Sequence, residues 1–281
     1  GIVIAAAYFL LAIPLTAMLN DKSLLQLLWV LTPMVLVYGT TAVLGGFFTG
    51  TGRFLEQSIQ LAIYSTSRLI LTLLLAYFFS IAGAVVALPI AALIALSYAS
   101  RAARLNTAKG DYHTKDIYSL STKLALFSAL IATFMNIDIL MVKALLGNDS
   151  LTGYYTAAST IARIPYFVLT ALGALLLPSV AEKLTLSGQQ AQKFIQEAMR
   201  YVLIALVPGT VVLAVTAKPL VMLLYKSDYA AAAEPAAILA VGTAALTIAY
   251  LISSALNGAG KTRTTVTVAA IMLAGSIVAN I

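Results

Sequence analysis

Apolar residues run through this chain in long blocks, each about the length a helix needs to cross a bilayer, and short polar links separate them. A span takes about 20 such residues. The pattern predicts nine helices at residues 1–19, 25–48, 57–79, 81–100, 118–146, 151–178, 195–225, 229–256 and 263–281. NDKS at 20, TGTGR at 49, GNDS at 147, KSD at 226 and NGAGK at 257 punctuate the blocks with turn-forming residues. The longest link, RAARLNTAKGDYHTKD at 101–116, follows the fourth block and marks a lobe boundary. The expected division is a first helical lobe at 1–105, a link at 106–117 and a second lobe at 118–281.

Composition agrees with an all-α polytopic membrane protein. The 281 residues are 61% hydrophobic and 10% charged, with a mean hydropathy of +0.98; soluble domains carry about 25% charged residues. Residues 1–19 have no basic front and are as long as a span, so they read as a helix of the mature protein, not a signal peptide. Gly1 opens inside an apolar run and Ile281 closes one, so the expectation is a stretch of a longer protein.

The net charge of +7 has a direction. Links after the second, fourth, sixth and eighth helices, with adjoining helix ends, hold Arg53, Arg101, Arg104, Lys109, Lys115, Lys123, Lys183, Lys193, Lys261 and Arg263. The opposite face has Lys22, Lys143, Lys218 and Lys226. The positive-inside rule places the richer set in the cytoplasm. Spread over several links with few aromatic residues beside them, these charges do not make a nucleic-acid surface.

GFFTGTGR at 46–53 and SALNGAGK at 254–261 both close on a Gly-x-Gly-basic turn. Such echoes accompany transporter repeats, although Gly and a basic residue are also ordinary at helix ends. GAGKT at 258 imitates the end of a P-loop, but Ala255 stands where that motif needs its first Gly, and a membrane helix precedes it.

Catalytic chemistry finds little to use. The chain has no cysteine, and its single histidine, His113, lies in the longest link beside Asp111 and Asp116. Metal sites built on paired histidines and Ser-His-Asp triads are therefore excluded, and no metal or cofactor is expected. A membrane glycosyltransferase or ligase would need a sizeable outer loop with catalytic acids or bases, and the chain has none.

Ionisable residues inside the blocks stand out, because each costs about 2.5–3.5 kcal/mol at the centre of a span. Arg68 is nearly central in the third block, Arg163 in the sixth, and Asp138 lies about a turn away from Arg163 in level across the fifth–sixth hairpin. Two readings follow. In one, Asp138 and Arg163 neutralise each other between adjacent helices while Arg68 snorkels or bonds to Tyr64, Ser65 or Ser67. In the other, Arg68 and Arg163 line a hydrated cavity as an anion site, their planar forks suited to phosphate, and Asp138 pairs or couples. Pro14, Pro33, Pro89, Pro165 and Pro208 fall inside spans and can kink them. Pro14, Pro165 and Pro208 are the hinge candidates.

The run NIDILMVKALLGNDSLTGYYTAASTIARIPYFVLTALGALLLPSVAEKL at 136–184 resembles the seventh and eighth helices of the polysaccharide flippases of the MOP (multidrug/oligosaccharidyl-lipid/polysaccharide) superfamily. Residues 203–232 resemble the ninth helix, and ALNGAGKTRT the end of the tenth. The resemblance implies a MATE-like transporter of 12–14 helices in two lobes, with this chain running from near the third helix into the eleventh. It also implies a polyprenyl-diphosphate-linked oligosaccharide substrate, alternating access between lobes in the cell membrane, and coupling to H+ or Na+. A cation-coupled multidrug exporter using Asp138 is the alternative within the superfamily. The lipid II flippase resembles the chain around Leu-Pro-Ser, but its Ala-Asp-Arg-Leu motif is replaced here by Ser159, Thr160 and Ile161.

Overall fold

The computed structural model describes residues 2–19, 23–103 and 114–280. Lys22, Arg104, Lys109, Asp111 and His113 lie outside the described residues. Those described form ten α-helices and one short 3-10 segment, Ser227–Ala232, with no strand among them. Seven helices among them are long and apolar enough to cross a membrane. The chain is an all-α polytopic membrane protein. It divides into two compact units, 1–111 and 112–281.

Unit 1 holds α1 (Ile2–Met18), α2 (Ser23–Gly50) and α3 (Phe54–Ala103). A straight helix of 50 residues would be about 75 Å long, yet Arg53 Nη2 donates to the carbonyl of Ala102 at 3.0 Å. α3 must therefore fold back on itself. It does so at Phe79 and Ser80, whose backbones leave the helical region, Ser80 at φ +53°, so the third and fourth predicted spans are two arms of one hairpin. Tyr77, Phe78 and Phe79 crowd its tip and are 85%, 67% and 65% exposed. The returning arm buries an alanine stripe, Ala87, Ala91, Ala95, Ala99 and Ala103, at four-residue spacing. Ala99 and Ala103 pack on Leu44 and Phe48 of α2, a close approach that small side chains permit.

Unit 2 holds α4 (Thr114–Leu146), α5 (Asp149–Ala162), α6 (Ile164–Leu186), α7 (Gly188–Val215), α8 (Ala217–Tyr225), α9 (Ala233–Gly258) and α10 (Thr262–Ala279). The last residues of the expected inter-lobe link, 114–117, are the first turn of α4. Two predicted spans are broken. The sixth is α5 plus α6, parted at Arg163 two residues before Pro165, and it runs on through Pro178 to Leu186. A proline has no N–H for the carbonyl four residues back, here Ile161. The seventh is α7 plus α8, parted at Thr216 ahead of Pro219, whereas α7 continues unbroken through Pro208. α1 likewise continues through Pro14.

The tightest seam of unit 2 is α6 on α9. A Cβ on Gly258 would collide with the Leu177 backbone carbonyl, and one on Gly173 would come within 2.8 Å of the Tyr250 ring. Ser254 Oγ donates to the Gly173 carbonyl at 2.5 Å. Leu169 and Leu176 of α6, Val202 and Leu206 of α7 and Leu251 of α9 fill the apolar part.

The two Gly-x-Gly-basic turns have the same closure. Gly52 and Gly260 adopt φ +71° and +75°. Arg53 N–H reaches back to Phe48 C=O at 2.7 Å and Lys261 N–H to Leu256 C=O at 2.9 Å, while each glycine N–H bonds the carbonyl three residues earlier. This is the Schellman cap, which needs a left-handed residue. Gly52→Ala is expected to cost about 1–2 kcal/mol, read as a lower unfolding temperature in detergent with no change in helix content.

Candidate functional site

Within unit 2, four helices enclose a cavity of about 240 Å³. α4 contributes Met135 and Asp138, α5 contributes Tyr155 and Ser159, Arg163 stands at the α5–α6 break, and Thr243 comes from α9. Ser276 of α10 and Asn280 at its C-cap also line it.

Arg163 reaches this cavity because the helix that carries it is interrupted. α5 has only 14 residues, about 21 Å at 1.5 Å each, so the break falls inside the apolar block. The interrupted turn is braced from outside: Thr243 Oγ1 donates to the Ala162 carbonyl at 2.7 Å. Neighbouring hydroxyls commonly satisfy such loosened carbonyls in membrane helices. Thr243→Val, nearly isosteric, is expected to cost about 1 kcal/mol and to loosen the break, seen as faster amide exchange confined to residues 160–166.

The guanidinium is held on its α4 side. Nη2 donates to the Met135 carbonyl, Nη1 to Asn136 Oδ1 at 3.3 Å, and Nη2 stands 3.9 Å from Asp138 Oδ1. The Arg163 and Asp138 side chains are 14% and 20% exposed. Asp138 does not depend on the arginine alone, since Oδ2 accepts the Tyr155 hydroxyl at 2.9 Å and Oδ1 the Ile139 amide at 2.9 Å. At 3.9 Å the ion pair is an electrostatic neighbour, not a hydrogen bond. The guanidinium is thus anchored chiefly by neutral oxygens.

Asp138 and Arg163 therefore share one cavity wall. Arg68 lies in unit 1, on an exposed face of the outgoing arm of α3, with no hydrogen bond or ion pair to another described residue. Tyr155, Asn136, the Met135 carbonyl and Thr243 complete the surroundings of Arg163 and were not expected from the sequence. The first has a visible signal: a tyrosine two turns before Arg163 can face the same neighbour. A backbone carbonyl leaves no such mark. Lys143 forms an ion pair with Asp149 at the α4–α5 link. No group of three or more His, Cys, Asp or Glu residues suited to a metal occurs among the described residues.

No curated protein and no solved structure matches the chain. A family model described as polysaccharide biosynthesis protein matches residues 1–234. The chain belongs to that family of polysaccharide biosynthesis transporters in the MOP superfamily.

Proposed function

We propose that the chain is the core of a flippase that carries polyprenyl-diphosphate-linked oligosaccharides across the cell membrane by alternating access. Arg163 in unit 2 is proposed as a diphosphate-binding residue, as is Arg68 within unit 1, and the lipid tail would stay in the bilayer. The observation that carries the reading is Arg163 itself: a guanidinium 14% exposed in a cavity wall, anchored by neutral oxygens. A diphosphate can take the outward-facing N–H groups while Asp138 keeps its bonds from Tyr155 and Ile139. The exchange strands no carboxylate. Arg68, exposed and unpaired among the described residues, presents a fork of its own within unit 1 without first breaking a contact.

Alternating access asks for places where helices bend. Pro14, Pro165 and Pro208 are proposed as hinges, Pro165 on the firmest ground because α5 and α6 part beside it. The links after the second, fourth, sixth and eighth spans are assigned to the cytoplasm on charge.

Asp138 favours a second reading. A carboxylate in a cavity wall within reach of a tyrosine hydroxyl can couple to H+ or Na+, whether the cargo is a glycan or, as in a multidrug exporter, an organic cation. Proteoliposomes separate these. A fluorescent polyprenyl-diphosphate oligosaccharide should cross at a rate proportional to protein content, and organic cations should not; cation transport without glycan transfer overturns the flippase reading.

A further inference from the structure

Unit 1 carries a cavity of its own, and no charged residue lines it. About 280 Å³ in volume, it lies between α2 and the outgoing arm of α3, with Tyr38, Thr41, Thr49, Gln57, Gln60 and Tyr64 in its wall. Gln60 is 4% exposed. Its Nε2 donates to the Thr41 carbonyl at 2.9 Å, which accounts for half of the amide. Oε1 is buried with no hydrogen-bond partner among the described residues. Buried amide oxygens rarely stay unpaired.

The rest of the wall presents the same chemistry. Thr41 Oγ1 gives its proton to Val37 C=O at 2.7 Å and Thr49 Oγ1 to Gly45 C=O at 3.0 Å. Their lone pairs are left for an incoming donor. A cation would find no carboxylate there, and a phosphate no arginine or lysine. Uncharged hydroxyl groups fit. Tyr38 and Tyr64 meet edge to face, 5.7 Å between centroids, and offer ring surface to the C–H face of a sugar. The volume lies just below the ~300–1,000 Å³ of typical ligand pockets, room for a single sugar ring and not for a chain.

We infer that this cavity is a subsite for one neutral sugar, the residue joined directly to the diphosphate, whose hydroxyl would reach Gln60 Oε1 through a small shift of the buried amide. The inference rests on the flippase reading above. Gln57, Gln60, Tyr64 and Arg68 follow one another at three- and four-residue spacing, so they share a face of α3. Arg68 stands about 6 Å along the axis from Tyr64. A diphosphate on Arg68 delivers its first sugar to the tyrosines and Gln60.

The test uses the whole protein in nanodiscs and four probes: polyprenyl diphosphate without sugar, and the same carrier bearing one glucose, galactose or N-acetylglucosamine. At least one glycosylated carrier should bind tenfold or more tighter than the bare one. Gln60→Met, and independently Thr49→Val, which leaves the Gln60–Thr41 bond in place, should each bring that ratio down to about twofold. Equal affinity of wild type for all four probes overturns the subsite and leaves the flippase reading standing. A ratio that survives in both variants, or an equal loss for bare and glycosylated carriers, also overturns it. No binding of any carrier by the wild type overturns both.

Discussion

Replacing Arg163 by alanine should reduce glycan transfer in proteoliposomes by about 100-fold or more, since losing a desolvated charge-assisted contact of about 3 kcal/mol or more has that effect. Arg163→Lys should restore only part, because an ammonium cannot present a planar fork. The informative variant is the double one. If Arg163 served only to neutralise Asp138, Asp138→Asn would remove the stranded charge and rescue Arg163→Ala. The expected result is no rescue of transport, with recovery of thermal stability only. Full transport by a folded Arg163→Ala protein would remove the anion role altogether.

Gly258→Val should be nearly as damaging, for a different reason. Its new Cβ would meet the Leu177 carbonyl, which belongs to helix backbone and cannot swing aside. Forcing α6 and α9 apart also opens the Ser254–Gly173 bond and the leucine packing around Leu251, so a loss of about 3 kcal/mol is expected. Gly275, with nothing within 4 Å of an added Cβ, is the control. Size-exclusion profiles after detergent extraction should show Gly258→Val largely aggregated and Gly275→Ala indistinguishable from wild type.

Hydropathy reveals the spans because burial of backbone in lipid demands helices of a set length. It cannot reveal where a span is cut. The break at Arg163 depends on Pro165, which the sequence does show, but the break at Thr216 arose near Pro219 and not at Pro208. A proline alone does not mark the cut, since α7 runs through Pro208 and ends at Val215, ahead of Pro219. Arg163 and Asp138 were legible because a charge in an apolar block is conspicuous. Gln60 was not, since one amide near the start of a helix is unremarkable until its oxygen is found buried without a partner beside a cavity. The alanine stripe of α3 was readable in principle, its four-residue spacing being the ordinary mark of a close helix contact.

The hairpin tip at Phe79 and Ser80 also serves as a depth gauge. Tyrosine is enriched where hydrocarbon gives way to headgroups, and the 85% exposed Tyr77 suits that end of α3 to the lipid boundary. Arg68 lies nine residues before Tyr77 and eleven before Phe79, about 14–17 Å down the arm at 1.5 Å each. Half of a hydrocarbon layer about 30 Å thick is 15 Å. With Tyr77 at that boundary Arg68 comes level with the midplane, the depth at which the proposed diphosphate contact would be made.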